Sequence, residues 1–237
     1  MPRRPRPPAA GLVFHVFNRA IQSSLLFGQA ADYDGFLALM QEACDRVPMR
    51  LLAYALMPNH WHLVAWPPGD GTLSAFVKWL SETHARHWRD GTDTRGEGAL
   101  YQGRFKATAV QCDDHLLRVL RYVERNPLRA RLVARAENWR WSSAAHRAGA
   151  EVSRPILEPW PVDRPDDWVE LLNLPEPPIV LREVRTAVRR SRAYGTDEWQ
   201  IARLGIRYPG RAPGRPARRI SQPTDSDNSV TALALAL

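Results

Sequence analysis

Met49-Arg-Leu-Leu-Ala-Tyr-Ala-Leu-Met57, Pro58-Asn59, His60-Trp-His-Leu-Val-Ala-Trp66 is the stretch that decides the fold. Two apolar, β-prone runs flank a two-residue turn, so the segment reads as a hairpin of two strands. Side chains alternate across a strand, which puts His60 and His62 on one face with Cα atoms ~7 Å apart. Trp61 faces the other way and is expected to pack. Two imidazoles at that separation can converge on a single metal ion.

Working outward, Leu12 to Phe17 reads as a first strand, and Asp32 to Val47 as an amphipathic helix through Phe36, Leu37, Leu39, Met40 and Ala43. Pro67-Pro68-Gly69-Asp70-Gly71 ends the hairpin. A second helix then runs from Thr72 or Ser74 to about Arg89, with Leu73, Phe76, Val77 and Leu80 as its apolar stripe. Phe105 to Gln111 reads as a fourth strand, and Asp113-Asp114 opens a third helix that Pro127 stops or redirects. The order gives an α+β protein: a ferredoxin-like βαββαβ core with an antiparallel sheet, its third strand near the centre, plus an added helix. The expected organisation is a basic disordered N-terminus (1–9), a catalytic domain (10–150) and a Pro-rich linker or wrapping segment (151–178). A helical C-terminal extension (179–208) and a basic, polar flexible tail (209–237) complete it.

The third helix carries Tyr122 and Asn126 at i and i+4, on one face and about 6 Å apart along the axis. Taken alone, His60-x-His62 fits two hydrogen-bonded residues beside a core equally well. Asn126 changes the balance, because its carbonyl oxygen completes an N, N, O ligand set that suits Mg²⁺ or Mn²⁺ in phosphate chemistry. Tyr122 is the candidate nucleophile. A free phenol is a weak attacker at neutral pH, and an ion that polarises a bound phosphodiester and aligns it would lower that barrier.

Composition narrows the partner. The chain of 237 residues has a net charge of +8, and all but two of its 33 basic residues are arginine, Lys78 and Lys106 being the exceptions. That favours a polyanion, although arginine over lysine also follows from a GC-rich genome. Cys44 and Cys112 are too few for a disulfide framework and read as reduced, largely buried thiols. The absence of a long apolar run and of a signal-like start leads us to expect a cytoplasmic, nucleoid-associated protein that does not engage membranes.

Tyr54-Ala-Leu-Met-Pro-Asn-His-Trp-His-Leu-Val64, Tyr101-Gln-Gly-Arg-Phe-Lys-Ala107, Arg121-Tyr-Val-Glu-Arg-Asn-Pro-Leu-Arg-Ala130 and Trp139-Arg-Trp-Ser-Ser-Ala144 follow in order. Together they resemble the REP-associated tyrosine transposases, relatives of the IS200-type enzymes among the HUH single-strand endonucleases. The likeness covers roughly residues 10 to 150 and is specific because four blocks recur at compatible spacings. It implies a transposase that cleaves and rejoins hairpin-associated single-stranded DNA through a 5′-phosphotyrosine, with a divalent metal. Carried over by position, His60, His62 and Asn126 hold the metal and Tyr122 attacks. Arg104 and Lys106, on a ribbon near the site, are candidate phosphate contacts. Arg211, Arg215, Arg218 and Arg219 form a candidate DNA arm, with Arg3, Arg4 and Arg6 a weaker one. Arg131 stands where the family often has Gly, so a positive φ there would strain it. The relatives include dimers and monomers, and a homodimer is open here. Two other readings remain: a regulator that binds nucleic acid without cutting it, and a small rolling-circle-type replication initiator. His84 and His87 are expected on a polar helix face, without a role.

Overall fold

The computed structural model describes residues 10–21, 24–92, 98–150 and 157–205. Strands β1 (Val13–Arg19), β2 (Arg50–Met57), β3 (His60–Trp66) and β4 (Lys106–Val110) form an antiparallel sheet in the order β2-β3-β1-β4. Helix α1 (Ala30–Arg46) joins β1 to β2, and α2 (Thr72–Thr92) joins β3 to β4. With α3 (Asp114–Glu124) following β4, this is the ferredoxin-like arrangement, and β3 lies inside the sheet. Each observed edge falls within a few residues of the sequence reading, because period-2 and period-3.6 patterns are strong in all six core elements.

Alternation along the strands divides the core in two. Phe14, Val16, Leu51, Tyr54, Leu56, Trp61 and Leu63 face α1 and α2. Val13, Leu52, Ala53, Ala55 and Val64 face α3. A bulge between Leu51 and Ala53 shifts the β2 register and turns two successive residues to the α3 side. Trp61 is fully buried on the α1/α2 side, opposite the histidines, and its indole N–H donates to the Tyr101 hydroxyl.

α3 is capped by the Asp113 carboxylate, which accepts from the His115 N–H at 2.8 Å. Leu116, Val119, Leu120 and Val123 recur at helical spacing and are all buried against the sheet. Burial of such a side chain contributes roughly 2 kcal/mol, which holds the helix on the sheet but leaves its axial position loosely set. Polar contacts set that position. Glu124, completely buried, accepts from Ser143 Oγ (2.5 Å), Arg147 Nε (2.8 Å) and Trp168 Nε1 (2.6 Å). These partners come from α5 (Ser143–Arg147) and α6 (Trp168–Asn173). The described part of the stretch expected as a Pro-rich linker is therefore packed structure. Trp160 in the same stretch donates to the Leu52 carbonyl at 2.9 Å. α7 (Pro178–Arg190) then packs on α3 and β4, and α8 (Asp197–Leu204) closes the described chain.

Two expectations are corrected. Cys112 is exposed, because it sits at the strand end beyond the sheet's cover, while Cys44 is half-buried. His84 is buried, not on a polar face: its Nδ1 bonds the Tyr101 hydroxyl at 2.7 Å, and Phe27 and Phe36 flank its ring. The α2 stripe simply extends one turn further than the apolar residues indicate, with a histidine completing it. His87 is exposed. Pro127 redirects the chain as expected. Lacking an N–H, it separates α3 from α4 (Asn126–Arg129), yet Arg129 and Ala130 still donate to the carbonyls of Arg125 and Asn126.

The end of α4 is a Schellman turn: Arg131 donates to the Leu128 carbonyl and Leu132 to that of Pro127. Arg131 takes φ 59°, so a side chain stands where glycine is favoured. Among the described residues no helix is long and apolar enough to cross a membrane. Arg131→Gly should raise the thermal midpoint, with a gain of about 1 kcal/mol in chemical denaturation; a lower midpoint would show that the arginine makes contacts worth more than the strain.

Burial, with a smaller contribution from neighbouring His87, lowers the His84 pKa from 6.5 to about 4. The unfolded chain binds this proton near pH 6.5 and the folded chain does not, so stability falls as pH drops from about 6.5 towards 4. The side chain accounts for a loss on the order of 3 kcal/mol across that window. His84→Gln should flatten the acid side of the urea-midpoint profile against pH; an unchanged slope would count against a buried neutral imidazole.

Candidate active site

The sheet places His60 and His62 as their spacing requires. Both project from β3 towards α3, opposite Arg19 and Phe17 of β1 respectively. Their ring centroids are 5.0 Å apart and nearly perpendicular. Tyr122, from the third turn of α3, meets the His62 ring edge-on at 5.9 Å between centroids. Its ring is only slightly exposed, at 9%. Asn126 follows one helical turn later, buried, and its Nδ2 has no partner among the described residues. The structure therefore brings the two histidines and the tyrosine together, with Asn126 on the adjoining turn.

His15 is the contributor that sequence inspection passed over. It is completely buried on β1, and its Nε2 lies 2.9 Å from His62 Nδ1. Its ring also meets Tyr122 edge-on, at 6.0 Å. Nothing in the local sequence announces this, because a single histidine in a strand is unremarkable until the partner strand is placed. The available signal was register: His15 shares a strand face with Phe17, and Phe17 pairs with His62. Asn59 Oδ1 lies 2.6 Å from His60 Nδ1. In both candidate ligands Nδ1 is thus engaged, and Nε2 is the nitrogen left for a metal. If His62 Nε2 carries a lone pair, Nδ1 holds the proton and donates it to His15, which must then be protonated at its own Nδ1.

Arg129 was also missed. Its guanidinium lies 4.4 Å from the centre of the Tyr122 ring, and Nη2 donates to the Tyr122 carbonyl at 3.0 Å. Glu176 fixes it through a 3.0 Å contact to Nη1, and Arg125 joins the same carboxylate at 3.5 Å. Burial lowers the proton affinity of every histidine here: His15 to about 3, His60 to about 4, and His62 well below its usual value. Arg19 and Arg129 add to the effect on His60 and His62. The imidazoles are neutral, as ligands must be, in a field that favours an anion.

Among the described residues no group of three or more His, Cys, Asp or Glu is arranged to hold a metal. Among the described residues a third protein ligand would have to be of another kind, and the Asn126 carboxamide has that chemistry. The residues thus fit a divalent ion with open positions for phosphate oxygens, not a closed zinc centre.

The two candidate phosphate contacts of the ribbon part company. Lys106 lies on the site's side of the sheet, 5.4 Å over the Phe17 ring, and its Nζ donates to the Arg189 carbonyl. Arg104 is exposed and borders a cavity of about 790 Å³ between α2 and the segment around Leu100 and Tyr101. The arginines at 3, 4, 6, 211, 215, 218 and 219 lie outside the described residues.

Known proteins resemble this chain in both sequence and fold. Residues 11–126 match the family model described as Transposase IS200 like. A Haemophilus influenzae protein, provisionally named a REP-associated tyrosine transposase, is 22% identical over 141 residues, covering 56% of this chain and 74% of its own. A REP-associated tyrosine transposase solved bound to a REP hairpin superposes with a TM-score of 0.52 at 20% identity, over 70% of this chain and 95% of that one. The matched stretch ends at Asn126 and so includes β3 and the helix bearing Tyr122. Through this stretch the chain is similar to the IS200-like transposases, and REP-associated tyrosine transposases are among the proteins it resembles.

Proposed function

We infer that the protein cleaves and rejoins single-stranded DNA beside a hairpin, with Tyr122 as nucleophile and His60, His62 and Asn126 as metal ligands. The observation that carries this reading is the edge-on contact of Tyr122 with neutral His62, which neighbours neutral His60, with Arg129 over the Tyr122 ring. A purely binding role makes no demand for a phenol at that place. The hairpin enters by analogy with the solved relative, which holds one.

In the proposed reaction the Tyr122 oxygen attacks phosphorus and the bond from phosphorus to the 3′ oxygen breaks. The phenol loses a proton and the departing 3′ oxygen gains one. The products are a 5′-phosphotyrosine and a free 3′-OH, and attack by a 3′-OH on the phosphotyrosine reverses the step on a new strand. Bond energy is conserved in the ester, so no nucleotide cofactor is consumed. A divalent ion, Mg²⁺ or Mn²⁺, would supply polarisation of the scissile phosphate and alignment of its oxygens. Arg129 would hold positive charge beside the phosphate that Tyr122 meets, which favours the charge developing on the non-bridging oxygens. Burial of the site keeps competing water away from the ester.

Two outcomes follow. Incubation with a labelled hairpin-bearing strand and Mg²⁺ or Mn²⁺ should give a denaturant-resistant protein–DNA adduct that Tyr122→Phe abolishes; an adduct that survives in the variant refutes the assigned nucleophile. His15→Ala should weaken Mn²⁺ binding, measured by calorimetry without DNA, by about 10–100-fold, because His62 loses the acceptor that orients it and sets its tautomer. Equal affinity in variant and parent would leave His15 a packing residue only.

A further inference from the structure

Helix α7 carries a basic surface that the reacting centre does not use. On a helix of 3.6 residues per turn, Arg182, Arg185 and Arg189 fall within about 60° of arc and span about 10 Å of axis. All three are exposed. The opposite side of α7, through Val184, Ala187 and Val188, is buried towards α3 and β4. Burial of that apolar side therefore fixes the direction in which the arginines point. They border one shallow depression of about 300 Å³ with Pro178, Leu181 and Thr186.

No ion pair among the described residues engages these three guanidiniums. Glu183, the acid of the helix, lies about a third of a turn away, and Glu176 is already engaged by Arg125 and Arg129. Like charges three and four residues apart destabilise a helix, so the stripe carries a cost that a polyanion would relieve. The middle of the stripe and its C-terminal end lead to the site. Arg185 is near enough for its charge to act on Arg129, which covers Tyr122. At the C-terminal end Lys106 joins the Arg189 carbonyl to Phe17, whose ring lies 5.5 Å from that of His62.

We propose that Arg182, Arg185 and Arg189 bind the phosphodiester backbone of the DNA substrate and extend its footprint from Tyr122 along α7. The assignment rests on the strand-transfer reading above and adds a surface outside the reacting centre. Ten ångströms of duplex axis carry about six phosphate charges, enough to engage all three guanidiniums at once. Such contacts hold register and orientation without reading bases, so the stripe would position the strand and leave sequence choice to other residues.

The test uses the full chain carrying Tyr122→Phe, so that binding is not masked by covalent capture. Affinity is measured by fluorescence anisotropy across a salt series. The probes are a hairpin with a single-stranded flank and the same flank without its stem. Changing all three arginines to Gln should weaken binding at least tenfold near physiological salt, and should lower the slope of log affinity against log salt by about 2 to 3. Changing all three to Lys should keep the slope, and both triple variants should melt like the parent because the positions are exposed. Loss confined to the hairpin assigns the stripe to the stem, and loss on both probes assigns it to the flank; either supports the proposal. Parental slope and affinity in the Gln variant on both probes overturns it. A parent that binds neither probe refutes the DNA reading itself, and the stripe with it.

Discussion

The buried carboxylate of Glu124 is the constraint from which the site's geometry follows. It ends the helix that presents Tyr122, is wholly removed from water, and is bonded by Ser143, Arg147 and Trp168. A buried charge is tolerated only when its lone pairs are filled, so this carboxylate requires α5 and α6 to be in place before α3 is settled. Arg147 passes the constraint to the sheet by donating to the Leu52 carbonyl and stacking on Trp160. Apolar packing alone would let α3 slide or rotate by a fraction of a turn. The polar network removes that freedom, and an error of an ångström at the phenol is what the proposed chemistry could least tolerate.

A second device works from the other side of the site. Three neutral histidines, a phenol and Arg129 lie together there, with Arg19 near enough for its charge to act on His60 and His62. Burial keeps the imidazoles unprotonated, and Arg19 and Arg129 reinforce this by repelling the added charge. The resulting pocket disfavours protonation of the imidazoles. The bond from His15 to His62 and the contact of Asn59 with His60 orient two rings that would otherwise rotate about χ2. Beyond the pocket, Arg129 and the α7 arginines spread positive charge along one flank, where a long anionic chain has room to lie.

Much of the fold was legible because its signals are local. The hairpin turn at Pro58-Asn59, the alternation in β3 and the apolar stripes of α1 and α2 each depend on neighbours within a few residues. The shared face of His60 and His62 was legible for the same reason. Where the reading failed, the cause was a contact across the chain. His84 looks like a surface residue until Tyr101, seventeen residues on, supplies its hydrogen bond. The stretch after Arg154 looks like a linker because its prolines break local periodicity. It packs nonetheless, since Trp160 and Trp168 find acceptors over a hundred and over forty residues away, respectively.

By itself, then, the sequence determined the element order, the face on which β3 presents His60 and His62, and the chemical types available for the site. Tertiary structure alone decided that His15 backs His62, that Arg129 covers Tyr122, and that α7 turns three arginines outward beside them. The reason is physical: periodicity is fixed by bond geometry within a few residues, whereas a buried polar group chooses its partner only when the whole core has closed around it.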